Sequence, residues 1–293
     1  MTVVAVCSLS GAPGATSLAT AMAAAWPSGV LTVPVLVEAD ASGGDVAAWH
    51  GVDPGSMGLI SLAAASRSPV SVQAPVSSTK DGGRGGSGAH HPLLRHAAEL
   101  PGGLRVVTAP TDPLEAGRAV DVLARNPTVL KSGRVTVVDV GRAVPGSAGA
   151  ALLRHADITV VLIEPGQVEQ AERLRVCAPV LASLRQDGVR VGLAISGTCP
   201  HPDTEISELA NGLPVWARIP RDATGAGLVR GEHRPPQRVR DRLAAWRAQR
   251  RDPDSLEWIP LIKSAKALAE LCDDFDGLGL GAGEHRVLEV QAA

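Results

Sequence analysis

Short runs of β-branched residues alternate with Ala/Leu-rich stretches along most of this chain, and no other feature of the sequence constrains the fold as tightly. Strands that are apolar on both faces must be covered on both sides, which is the situation of a parallel sheet between helical layers. The pattern therefore predicts α/β architecture: a doubly wound, mostly parallel sheet with helices on both faces. Residues 3–7 read as a buried strand, followed by a Gly/Pro/Ser turn and a helix over 17–26. Residues 27–29 stop that helix, since proline cannot continue its hydrogen-bond ladder. Further strands are expected at 33–37, 104–108, 135–138, 158–163 and 191–195. Helices are expected at 114–123, 167–184, 203–209 and 260–271.

Composition narrows the function classes. Of 293 residues, 45% are hydrophobic and 20% charged, enough to bury a core. The formal net charge of −2 argues against a dedicated nucleic-acid binder. No apolar run approaches the roughly 18 to 20 residues of a membrane span, and the N-terminus lacks a basic leader region, so a cytoplasmic protein is expected. Aromatic residues make up 2%. The core must then be built from Ala, Val and Leu, and platforms for stacking single-stranded bases are scarce. Cys7, Cys177, Cys199 and Cys272 are scattered without a CxxC pair, which indicates neither a disulfide framework nor a thiolate zinc site.

Two segments break the rhythm. Residues 66–91 run through Ser, Gly, Pro and Val with no apolar period to offset ordering entropy, and read as a disordered insertion or, alternatively, a regulatory loop. After Gly231, arginines 234, 238, 240, 242, 247, 250 and 251 crowd an expected helix whose Val239, Leu243 and Trp246 form one apolar stripe. The division is thus a main domain over 1–232 and a helical extension with a Gly-rich tail over 233–293. The arginines read first as a solvated face. Non-specific contact with DNA backbone, or with a membrane surface or protein, through 234–251 is possible but not favoured.

Ser10-Gly-Ala-Pro-Gly-Ala-Thr-Ser17 stands between the first strand and helix, where a phosphate-binding loop would stand. Glycines there let backbone N–H groups close round phosphate oxygens, with the helix N-terminus adding partial positive charge. At this point the chain resembles the ParA/MinD-like ATPases, whose deviant Walker A motif reads KGGxGK[ST][ST]. On that motif Ser10 takes the signature lysine, Gly11 and Ala12 the glycine pair, Pro13 the variable place and Gly14 the next glycine. Ala15 takes the second lysine, and Thr16 with Ser17 the hydroxyl pair. Val35 to Asp40 resembles the strand and acidic switch motif, Asp40 matching the carboxylate that orients attacking water. Val135 to Gly141 resembles Walker B, whose carboxylate, here Asp139, holds magnesium together with Thr16. Leu213 to Asp222 resembles the late strand and adenine-side loop, which carries Pro220 and Asp222 into the nucleotide site. The resemblance covers roughly residues 1 to 230. It implies a homodimer, ATP or ADP with magnesium, a protein partner, and cytoplasmic location with possible recruitment to nucleoid or membrane.

The departures from the motif are at its charges. Both lysines are absent, and the loop goes further than the KGSPGVTT loops of a similar actinobacterial group, which lack only the second. Each lysine makes a charge-assisted contact worth roughly 1.5–3 kcal/mol, about 10- to 100-fold in affinity. Hydrolysis depends on electrostatic stabilisation and should suffer more. Arg142, just after Asp139, is a candidate substitute. The expectation is a degenerate member, a dimeric scaffold or positioning factor with lost or very weak ATPase activity, either with ATP or ADP and magnesium or with no cofactor. The alternative is a nucleotide-gated ATPase switch in partitioning or polar localisation. Asp40 and Asp139 also admit a simple role as loop caps. Glu38, after the second strand, could mimic the ribose-binding acid of a dinucleotide fold, though no G-x-G-x-x-G is present. Cys199-Pro-His201, His90-His91 and His96 lack the spacing of a tetrahedral metal set. No Gly-x-Ser-x-Gly elbow supports hydrolase chemistry.

Overall fold

Runs of Val, Ile and Leu with both faces inaccessible form the central strands, and Ala-rich segments between them form the covering helices. The computed structural model describes residues 1–11, 14–27, 34–53, 57–67, 92–132, 135–232, 256 and 258–277. The expected insertion at 66–91 lies, apart from residues 66 and 67, outside the described residues. The Arg-rich stretch 234–251 lies wholly outside them.

The described strands are β1 Thr2–Ser8, β2 Val35–Glu38, β3 Ala98–Glu99, β4 Arg105–Val107, β5 Val135–Arg142, β6 Ile158–Ile163, β7 Arg190–Ser196 and β8 Val215–Ile219. They form one sheet in the order β3-β4-β2-β5-β1-β6-β7-β8. Every neighbouring pair is parallel except β3 with β4, so the sheet is doubly wound as the alternation implies. The helices are α1 Ala15–Ala24, α2 Val46–His50, α3 Leu59–Ser66, α4 Pro113–Arg125, α5 Ala148–Leu153, α6 Val168–Gln186, α7 Asp203–Leu209, α8 Ala223–Val229 and α9 Pro260–Gly277.

Alternation along β1 divides the core. Val3, Ala5 and Cys7 face one layer, with Leu62 of α3, Val120 of α4, Leu152 of α5, Leu181 of α6 and Ile206 of α7. Val4 and Val6 face the other, with Leu18 and Met22 of α1, Val229 of α8, and Leu261 and Leu268 of α9. The apolar stripe of α9 thus completes the second layer although the sequence places this helix in an extension. Trp26 beyond α1 donates from Nε1 to Asp273 of α9 at 3.3 Å.

Several boundaries differ from the sequence reading. Strand β5 does not stop at 138 but runs to Arg142, because Gly141 adopts φ +62° and lets the strand bulge against β1 between Val6 and Cys7. Asp139 therefore sits inside a central strand. The antiparallel edge β3 and the short helices α2, α3, α5 and α8 carry too few residues to show a period.

Candidate functional site

Strand β1 lies at the centre of the sheet, with β5 on one side and β6 on the other. The chain diverges to opposite layers there, and in open α/β sheets such a crevice at the carboxyl ends of the strands is where ligands bind. The loop after β1 occupies that place. Gly11 and Gly14 are exposed, and Gly14 caps α1 in the left-handed region at φ +91°, a conformation that favours glycine. The N-cap Gly14 offers no side chain to α1 and no acidic residue lies in the first turn, so neither supplies an anion to the leading N–H groups. Ala12 and Pro13 lie outside the described residues. Ser17 is buried at the start of α1.

The two positions without lysine are used structurally. Ser8 Oγ donates to the Ser10 carbonyl at 2.8 Å, and Ser10 Oγ donates to Gln170 Oε1 at 2.8 Å. The same Gln170 oxygen accepts the backbone N–H of Glu164 at 3.2 Å. The Glu164 carboxylate in turn pairs with the Arg221 guanidinium, which reaches in from the loop after β8. Ser10 thus points into a polar chain on the α6 side of the loop. Ala15 is 6% exposed and packs in the α1 layer.

Opposite that chain stand three carboxyl groups. Asp139 is fully buried, and its Oδ1 accepts the Gly141 N–H at 3.0 Å. Its Oδ2 has no hydrogen-bond partner among the described residues. Burial pushes its pKa up to about 7; the adjacent Thr16 hydroxyl opposes the rise, while the charges of Glu38 and Asp40 add to it. Asp40 Oδ1 accepts the Ser42 N–H at 2.7 Å, and the side chain lies over Gly141 so closely that any Cβ there would overlap its carboxylate. Desolvation raises the Asp40 pKa as well, against the Ser42 hydrogen bonds.

Glu38 does not face a ligand. Its Oε1 accepts the N–H groups of Asp45 at 2.7 Å and Val46 at 3.1 Å, and Oε2 accepts that of Ala109 at 2.9 Å. It is 1% exposed. This corrects the ribose-acid reading: with three backbone donors on its carboxylate, Glu38 fastens the β2–α2 loop to the end of β4. Asp222 is similarly engaged. Oδ1 caps α8 by accepting from Thr224 and Gly225 at 3.0 Å each, and Oδ2 accepts from Leu261 of α9 at 3.1 Å. Pro220 is exposed at the end of β8, on the same edge of the sheet as the β1 loop. Arg142 is exposed at the end of β5, in register with Ser8.

The histidines take local partners: His96 Nδ1 with Ser61 Oγ at 2.8 Å, and His201 Nδ1 with Glu205 at 3.0 Å. His90 and His91 lie outside the described residues. No set of three or more His, Cys, Asp or Glu side chains converges as a metal site among the described residues.

The structure thus gathers Gly14, Thr16, Asp40 and Asp139 at one crevice and turns Glu38 and Asp222 inward. An orphaned, fully buried carboxylate oxygen beside a hydroxyl is a donor set that fits magnesium, with Thr16 and Asp139 as the residues that would hold it. Sequence reasoning missed Gln170, Glu164 and Arg221. Gln170 lies 160 residues from Ser10, and Arg221 lies 57 from Glu164; only the pairing of β6 beside β1 and of β8 beside β7 brings them to Ser10. A Gln in the first turn of the helix after β6 was the one local signal.

No protein-family model matches the sequence, and no curated protein matches it. Solved structures do. A ParA family ATPase from Chlorobium tepidum has 16% identity, covering 92% of this chain and 98% of its own, with a TM-score of 0.60. The septum site-determining protein MinD from Pyrococcus horikoshii, complexed with Mg-ADP, has 16% identity over 96% of this chain and 99% of its own, TM-score 0.60. Apo McdA from Cyanthece has 15% identity over 92% and 99%, TM-score 0.55. No helix among the described residues is long and apolar enough to cross a membrane. The likeness is one of fold, and by that likeness and its sheet order the chain has the ParA/MinD-like α/β fold of the P-loop NTPases.

Proposed function

We propose that this protein is a degenerate ParA/MinD-like protein, a dimeric scaffold or positioning factor whose ATPase activity is lost or very weak. The observation that carries the reading is the fate of the two lysine positions. Ser10 is bound inward to Gln170, and Ala15 is buried at the start of α1. Neither can neutralise a phosphate. Phosphoryl transfer proceeds by positioning and by charge stabilisation, so a crevice with carboxylates and no lysine is poorly equipped for it. In this reading the crevice face serves as the homodimer interface and a protein partner binds the dimer. The protein is cytoplasmic, with recruitment to nucleoid or membrane through that partner, and binding to DNA or membrane through 234–251 is not favoured.

A second reading, a nucleotide-gated ATPase switch, is favoured by the unpartnered Asp139 Oδ2 beside Thr16. There Gly11, Ala12, Pro13, Gly14, Ala15, Thr16 and Ser17 cradle ATP or ADP. Thr16 and Asp139 hold magnesium, Pro220 and Asp222 border the base, and Asp40 orients water. Calorimetry with Mg·ATP and then ADP separates the two. No heat at millimolar nucleotide supports the scaffold. Micromolar binding, with turnover that disappears in Asp40→Ala, overturns it.

A further inference from the structure

A groove of about 430 Å³ opens between α5 and α6, in the layer opposite α1. It exists because α5 presents Ala150 and Ala151 where larger side chains would meet α6. Val180, Leu181 and Leu184 form the other wall. Val180 is 45% exposed, which leaves part of this apolar wall open. The volume is in the range of small-ligand pockets, which are mostly apolar with few polar groups to fix orientation. Cys177 to Leu184 on α6 spans about 10 Å, the length of an extended aliphatic chain of about ten carbons.

Arg154, just beyond α5, supplies the polar group. It lines this groove and the neighbouring cavity, is exposed, and makes no ion pair among the described residues. The acid nearest to it in sequence, Asp157, is already engaged by Lys131 Nζ at 3.0 Å and by the Val3 N–H at 2.8 Å. An apolar trough ending at a free guanidinium matches a ligand with an aliphatic body and an anionic head, since a carboxylate is the group a guanidinium binds in a forked pair.

We propose that the groove binds a medium-chain aliphatic carboxylate, its chain lying between α5 and α6 and its head on Arg154. This site is separate from the crevice and does not depend on whether nucleotide binds there. Leu9, which immediately precedes Ser10, forms part of its wall, so occupancy adjoins the β1 loop.

The test uses the full chain and sodium decanoate below its micellar concentration. Calorimetry should show saturable one-to-one binding, about tenfold weaker in Arg154→Ala and absent in Ala151→Phe, which fills the trough. Octanoate should bind about tenfold more weakly than decanoate, following the loss of two buried methylenes. Cys177 lies in the wall and Cys199 outside it, so decanoate should slow alkylation of Cys177 severalfold and leave Cys199 unchanged. Circular dichroism checks the fold of each variant, and Ala150→Leu replaces Ala151→Phe should the latter not fold. Heat that does not saturate, an unprotected Cys177, binding that survives the filled groove, or equal affinity for decyltrimethylammonium would overturn the proposal.

Discussion

The Ser10 hydroxyl donates to Gln170 Oε1 across 2.8 Å, tying the loop after β1 to the first turn of α6. The position at which the resemblance calls for a lysine is therefore an interior contact of the subunit. Gln170 also holds the Glu164 N–H, and Glu164 pairs with Arg221, so the contact extends to the loop after β8.

Restoring the lysines should reverse the deficit. Ser10→Lys breaks the Gln170 contact and returns a cation to the loop, and Ala15→Lys returns one at the start of α1. Each should tighten Mg·ATP binding about 10- to 100-fold, the value of one charge-assisted contact. Calorimetry on the single and double variants reads this directly. Unchanged affinity in the double variant would mean that the crevice is closed to phosphates for another reason.

The carboxyl of Asp139 predicts a pH dependence of stability. Its pKa in the folded chain is about 7, above the ordinary 3.8, chiefly through burial. Between those values the unfolded chain releases a proton that the folded chain retains, so stability falls as pH rises from about 4 to about 7 and levels off above. At about 1.4 kcal/mol per pH unit the ceiling is about 4 kcal/mol. Asp139→Asn should flatten the profile and be the more stable protein at pH 7.5. Urea titrations at pH 5 and 7.5 measure both effects, and parallel profiles for the two proteins would refute the assignment.

How much of this was legible in the sequence depends on range. Strand β6 and helix α7 coincide with the expected segments because a run such as Ile158 to Ile163 needs no distant partner to declare itself. The crevice residues Thr16, Asp40 and Asp139 were visible through the motifs they resemble: Asp40 follows β2, Thr16 opens the helix after β1, and Asp139 follows the expected strand 135–138, although β5 itself runs on to Arg142. Glu38 was misread for the same reason: it ends a strand, but its carboxylate is claimed by N–H groups as far away as Ala109. Arg221 was illegible, and Gln170 nearly so, since a place in the first turn of a helix does not name a partner that strand order supplies.

Glu38 should prove a stability residue. Glu38→Ala removes the acceptor of three backbone N–H groups, those of Asp45, Val46 and Ala109, two of them in buried residues. A buried donor left unpaired costs about 1–3 kcal/mol, so a loss of about 3 kcal/mol is expected once water reaches the exposed Asp45 end. Chemical denaturation checks the figure. A loss below about 1 kcal/mol would show that the β2–α2 loop is held by other means.

Asp40 and Gly141 should be energetically coupled. Gly141 has φ +62°, and a Cβ there would overlap the Asp40 carboxylate. Gly141→Ala therefore carries a left-handed backbone penalty of about 1–2 kcal/mol and must also displace Asp40 from its Ser42 N–H. Asp40→Ala removes the overlapping carboxylate and leaves the backbone penalty together with a residual close approach to the residue-40 Cβ at 2.7 Å. A double-mutant cycle should then show the pair at least 1 kcal/mol more stable than the sum of the single losses. Simple additivity would mean that Asp40 swings away from Gly141 freely, and the carboxylate would then be available to the crevice in either protein.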